Sequence, residues 1–214
     1  MKDFRRFAIA ALTLICFGCG DVQSSSSKIA SYGSSDQEST PVQIVAGGLP
    51  DGASNISWIR PTTYTELGGF SGKVGKPASH EGSDYIHTDQ SIVDVPVFAA
   101  ASGRVVYIRF GCPQDSMFKH NNSARECGAG WGNHVVLDHG NGIFTRYAHL
   151  RPKSISVSDG QILNAGELVG VMGNSGRSEL RHLHFELGIK AADFEPTAKS
   201  QIFDRIFNPE KLYQ

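Results

Sequence analysis

The sequence predicts a mainly β, antiparallel domain with little helix, and three observations carry that reading. From Val95 onward, short runs rich in Val, Ile, Phe and Tyr succeed one another. Glycine, serine and asparagine separate these runs at short intervals. No segment of helical length keeps a clear 3.6-residue apolar period.

Taken in order, the predicted strands are "VPVFAA", "GRVVYIRF", "NHVVLDH", "GIFTRYAHL", "LVGVMG" and "HLHFELGI". The turns between them carry "ASG", "HGNG", "SDG" and "NSGRS". Asn141-Gly142 predicts a hairpin, because a tight turn there needs positive φ. The stretch "RFGCPQDSMFKHNNSARECGAGWGN" interrupts two strands with polar residues and glycine, and predicts a long surface loop. One short helix is expected near "TAKSQIFDRIF", before "NPEKLY".

The N-terminus has a separate character. Residues 1–18 combine Lys2, Arg5 and Arg6 with an apolar run from Phe7 to Gly18, the pattern of an export signal. That run is well short of the ~20 residues a spanning helix needs. "CFGC" resembles a bacterial lipobox, which would make Cys19 the acylated residue of a membrane-anchored lipoprotein. Cys16 stands where that pattern usually has Leu, and ordinary cleavage after Gly20 is the alternative, giving a periplasmic or secreted protein. Residues 19–44 are Ser-rich and read as a flexible tether, leaving residues 45–214 as one domain.

A formal net charge of −1 without a Lys/Arg cluster gives no nucleic-acid footprint. In an oxidising compartment, Cys112 and Cys127 read as a disulfide stapling the long loop; two free thiols are the alternative. Neither has a CxxC partner, so this pair alone is not a metal site.

The histidines carry the chemical signal. In "RHLHFELG", strand alternation puts Leu183, Phe185 and Leu187 on one face and His182, His184 and Glu186 on the other. In "GIFTRYAHL" the same rule places Ile143, Thr145, Tyr147 and His149 together on one face. "HEGSD" adds His80 and Asp84, with Gly82 disfavouring a helix. Two histidines from a strand with a His and an Asp from another segment can hold a metal such as zinc. Each piece alone is weak, since an isolated HxH is more often exposed or hydrogen-bonded. His87, His120, His134 and His139 read as surface or turn residues. Glu186 could support a metal ligand or simply be a solvated or core-edge carboxylate, and Asn133 could serve the groove or a turn.

Together, "HEGSD", "VPVFAAASGRVVYI", "GNHVVLDHGNGIFTRYAHL", "VSDGQILNAGELVGVMGNSGRS" and "HLHFEL" closely resemble the lysostaphin-type (LytM-like) zinc metallopeptidases over residues 78–190. The resemblance implies a compact antiparallel β-sheet domain with an open groove, the duplicated hybrid motif fold. It implies Zn2+ held by His80, Asp84 and His184, with His149 and His182 assisting catalysis beside it. The implied activity is hydrolysis of peptide bonds in peptidoglycan cross-bridges or stem peptides by metal-activated water. No HExxH is present, so histidine rather than glutamate is expected to move the proton. The rival is a non-catalytic wall-binding or regulatory module that activates other wall hydrolases. Such modules have typically lost ligands, whereas all five positions are filled here. The departures from the pattern are Arg181 before HxH, the long loop with its cysteine pair, and the residues between Asp84 and "VPVFAA".

Overall fold

The computed structural model describes residues 42–63, 65–198 and 200–214. The signal stretch 1–18, Cys19 and nearly all of the tether lie outside the described residues. Among the described residues twelve strands follow in order: β1 (Thr65–Gly68), β2 (Ser71–Gly72), β3 (Ala78–His80), β4 (Ser83–Ile86), β5 (Pro96–Phe98), β6 (Gly103–Arg109), β7 (Asn133–Asp138), β8 (Ile143–Leu150), β9 (Ile162–Leu163), β10 (Leu168–Val171), β11 (Leu183–Ile189) and β12 (Arg205–Phe207). Helical content among the described residues is limited to short 3-10 turns at Ala53–Asn55, Cys127–Gly130 and Pro209–Tyr213.

Eight strands form one sheet in the order β1-β4-β11-β8-β7-β6-β9, with β12 also on β11. The strand pairings within it are antiparallel. β5–β10 and β2–β3 make two small separate ribbons. The β7–β8 hairpin turns at Asn141 and Gly142, whose φ values of 56° and 71° give the left-handed pair that a tight hairpin needs.

One face of the sheet packs Tyr85, Val105, Val135, Leu137, Tyr147, Leu183 and Phe185 against Val97 of β5 and Val169 of β10. Each such side chain contributes roughly 1.5–3 kcal/mol on leaving water. The Tyr147 hydroxyl is satisfied within this core, accepting the Ala100 N–H at 2.8 Å. The other face is covered in part by Phe144, Phe203 and Ile206. β8 is therefore buried on both sides along its whole length.

The helix expected near "TAKSQIFDRIF" is not found among the described residues. Burial over this stretch alternates as in an extended chain: Gln201 and Phe203 are 5% and 1% exposed, whereas Ile202 between them is 37% exposed. The segment ends in β12, which pairs with Leu187–Ile189. Pairing with an open strand edge and insertion of Phe203 beside Phe144 outweigh the local helical spacing.

Candidate metal centre

Register across β4 and β11 places His184 directly opposite Asp84. Gly82 permits this approach, because a Cβ there would lie 2.3 Å from the Phe185 carbonyl oxygen. His80 closes β3 and reaches the same point. His80, Asp84 and His184 bring one ligand atom each within 4.8 Å of one another. His80 Nε2 lies 3.2 Å from Asp84 Oδ2, and His184 Nδ1 lies 2.8 Å from Asp84 Oδ1. Two imidazoles and a carboxylate on one centre are a donor set suited to a divalent cation such as zinc.

Each of the four clustered imidazoles has one nitrogen fixed and the other directed inward. His80 Nδ1 donates to the Gly69 carbonyl at 2.8 Å, His149 Nδ1 to Ser175 at 2.7 Å and His182 Nδ1 to Leu180 at 2.8 Å. A carbonyl only accepts, so these contacts fix the proton on Nδ1 and leave Nε2 for the site. His184 is reversed: its Nε2 contacts Glu186 Oε1 at 3.0 Å and its Nδ1 faces Asp84. The His149 and His182 rings lie 4.6 Å apart, and His149 stands 5.8 Å from His184.

His149 reaches this cluster by breaking the alternation expected of its strand. Strict alternation would send it into the core with Tyr147. Instead Asn133 pairs with Leu150 and Val135 with Tyr147, so two residues of β8 stand opposite one of β7. This is a bulge at Ala148–His149, with His149 at φ 58°. The extra residue returns Leu150 to the core and turns the imidazole to the opposite face. A non-glycine residue in the left-handed region costs about 1–3 kcal/mol, held here by surrounding contacts such as His149 N–H to the Trp131 carbonyl at 2.9 Å.

Burial lowers the His149 imidazolium well below its usual range, and His182 and His184 reinforce this. Burial likewise lowers His182, against the pull of Asp84. For His184 burial acts downward too, but hydrogen bonds to Asp84 and Glu186 outweigh it and hold the pKa up at about 10. Burial would raise the Asp84 carboxyl; bonds from His184 and His80 outweigh it and keep the group ionised.

Glu186 is fully buried and not solvated. It accepts from His184, from Trp131 Nε1 at 2.5 Å and from Arg146 Nη1 at 3.0 Å, and the Arg146 guanidinium lies 3.7 Å from the centre of the Trp131 ring. His134, expected at the surface, is also fully buried beneath Tyr107 and Trp131, where burial lowers its pKa to about 3. Its strand is covered on both faces, which polar spacing alone does not reveal. His120 pairs with Glu179, and His139 bonds the Ser102 carbonyl and the Thr145 hydroxyl; neither joins the cluster.

Residues around the cluster line a groove of about 320 Å³, among them Leu67, Trp131, Arg177 and Leu180. The 173–180 turn supplies the carbonyls that orient His149 and His182, and the long loop buttresses it. Asn174 Nδ2 donates to the Ser116 and Lys119 carbonyls at 2.9 and 2.8 Å, and Asn121 Nδ2 donates to Gly176 at 2.9 Å. Cys112 and Cys127 form a disulfide in this loop, with Cα atoms 5.6 Å apart. Asn133 bonds both Cys112 backbone groups and the Leu150 carbonyl, so it pins the loop base rather than lining the groove.

Arg181 is 1% exposed and gathers the carbonyls of His87, Asp89 and Ile92. It thereby ties the 87–93 loop to the start of β11. Neither this role nor that of Arg146 has a sequence signal beyond an arginine beside apolar residues.

Parts of this chain are similar to known proteins. A 138-residue stretch is 33% identical to "Outer membrane antigenic lipoprotein B" of Histophilus somni, covering 64% of this chain and 33% of the relative. A 113-residue stretch is 34% identical to "Peptidoglycan DD-endopeptidase ShyA" of Vibrio cholerae, covering 53% of this chain and 21% of the relative. The chain thus spans a third or less of the length of these two relatives. Among solved structures, a zinc-containing peptidase from Vibrio cholerae aligns at a TM-score of 0.46 and 24% identity, over 65% of this chain and 38% of that one. The family model described as "Peptidase family M23" matches residues 78–196, which hold all five clustered side chains, and the chain belongs to that family.

Proposed function

We propose that this chain is a zinc-dependent endopeptidase that hydrolyses peptide bonds of bacterial peptidoglycan. The observation that carries the reading is the convergence of His80, Asp84 and His184 within 4.8 Å, beside two further imidazoles. His80 Nε2, the Asp84 carboxylate and His184 Nδ1 would hold the ion. When bound, Zn2+ supplies Lewis-acid polarisation of a carbonyl and lowers the pKa of water.

The chain's own groups manage position and protons. The carbonyls of Ser175 and Leu180 fix the tautomers of His149 and His182, so each presents an Nε2 lone pair. One accepts the proton of the attacking water and returns it to the leaving amine. The other, on taking a second proton from solvent at Nε2, donates it in a hydrogen bond to the oxygen on which negative charge develops. His182 is held closer to Asp84, with Nε2 3.7 Å from Oδ1, which favours it as the imidazolium and His149 as the base.

Membership in peptidase family M23 and the endopeptidase name of one relative support a wall peptide, in a cross-bridge or stem, as substrate. A relative named as an outer membrane lipoprotein supports export and anchoring through Cys19. Residues 45–214 form the catalytic unit in this reading. The test is mass spectrometry of purified peptidoglycan incubated with the chain. New peptide termini should arise, vanish with a chelator and return with Zn2+. No cleavage by a protein with zinc fully bound would point to an autoinhibited groove or another substrate class, and no zinc binding together with no cleavage would favour the regulatory wall-binding module.

A further inference from the structure

Both carboxylate oxygens of Glu186 are filled by protein donors. Oε1 is contacted by His184 Nε2 at 3.0 Å and Trp131 Nε1 at 2.5 Å, and Oε2 by Arg146 Nη1 at 3.0 Å and Gln43 Nε2 at 3.1 Å. Three of these donors lie within the family-matched residues 78–196; Gln43 does not. Gln43 is 1% exposed and is held at both ends. Its Oε1 accepts the Phe203 N–H at 2.8 Å, and its carbonyl accepts the Ala78 N–H at 3.0 Å. Ala78 opens β3, the strand that ends at His80. One residue thus touches the support of two candidate ligands.

We propose that Gln43 is a positioning residue for the metal centre, acting through Glu186 on His184 and through β3 on His80. The inference rests on the metal reading above. Losing the Gln43 amide leaves one acceptor site of a buried carboxylate unfilled, a costly state in a low-dielectric interior. The carboxylate can then swing towards its remaining donors, and the His184 ring it orients turns with it. Partners that orient a metal-bound histidine typically control affinity by 10–100-fold. Gln43 acts one bond further out, so the lower end of that range is expected. The metal centre therefore begins at the segment joining the tether to the domain, outside the family motifs.

The test is a cobalt(II) titration of the full chain, read by visible absorption and by chelator competition. The Gln43→Leu protein is compared with wild type and with Val45→Ala. Val45 is buried in the same segment and bridges to Ile206. Gln43→Leu should weaken cobalt binding about tenfold and alter the absorption band. Val45→Ala should lower the melting temperature at unchanged cobalt affinity. Wild-type affinity and spectrum in Gln43→Leu, or equal weakening in Val45→Ala, would overturn the inference. Should Gln43→Leu fail to fold, Gln43→Asn keeps the amide at shorter reach and should show the same direction of change. If wild type itself binds no cobalt through His80, Asp84 and His184, the metal reading fails and this inference falls with it.

Discussion

Tyr147 and His149 stand two residues apart on one strand yet face opposite sides of the sheet. Tyr147 lies in the main core, whereas the His149 ring lies 4.6 Å from His182 in the groove cluster. The bulge at Ala148–His149 causes the reversal. It delivers an imidazole to the site from a strand whose other residues anchor it on both faces, so the ring is placed by a rigid element.

The Arg146–Glu186 pair should be costly to break from one side. Both side chains are fully buried and 3.0 Å apart. Glu186→Ala leaves an unpaired guanidinium in the interior, and a loss of about 3–5 kcal/mol is expected. Urea unfolding measures it, and a loss below about 1 kcal/mol would show that Arg146 finds another partner.

His134 gives a pH signature separable from the candidate metal site. Its folded pKa, about 3, lies below its unfolded value near 6.5, so between these limits the unfolded chain binds the extra proton. Its contribution is present in full above pH 6.5 and is lost as pH falls towards 3. Wild type should lose about 1.4 kcal/mol per pH unit more than His134→Gln between pH 6 and about 4. Parallel stability curves for the two proteins would contradict the buried neutral state.

The disulfide closes a separation of 15 residues, which corresponds to about 3 kcal/mol in the chain-entropy model. The double variant Cys112→Ser, Cys127→Ser should lose about that much in denaturant. Because this loop buttresses the 173–180 turn, turnover should fall more than zinc affinity does. Equal losses in both would point to a general loosening.

Arg181 joins three carbonyls of the 87–93 loop to β11. Arg181→Ala should raise hydrogen exchange across that loop and cost at least about 2 kcal/mol, since hydrogen bonds to a charged group contribute roughly 1.5–3 kcal/mol. Unchanged exchange there would remove its anchoring role.

Much of the site was legible because strand alternation and turn chemistry are local. The two faces of "HLHFELG" and the Asn141-Gly142 hairpin follow from nearest-neighbour rules, whereas the joining of His80 with Asp84 was implied by the family resemblance. What escaped depends on contacts distant in sequence. A one-residue bulge reverses every face assignment after it, so alternation misplaced His149. The expected helix near Phe203 gave way to an edge of β11 that local spacing does not show. The partners Gln43 and Glu186 lie 143 residues apart, and His134 is polar in sequence but lies under covering layers.

The most direct measurement of the central claim is zinc stoichiometry and peptidoglycan cleavage of His149→Ala, side by side with wild type. His149 is assigned to proton transfer and not to the ligand set. The variant should therefore retain zinc at the wild-type ratio while cleavage falls by about 10²–10⁴-fold. Loss of zinc would make His149 a ligand, and cleavage at the wild-type rate would remove it from the chemistry; either result contradicts the assignment.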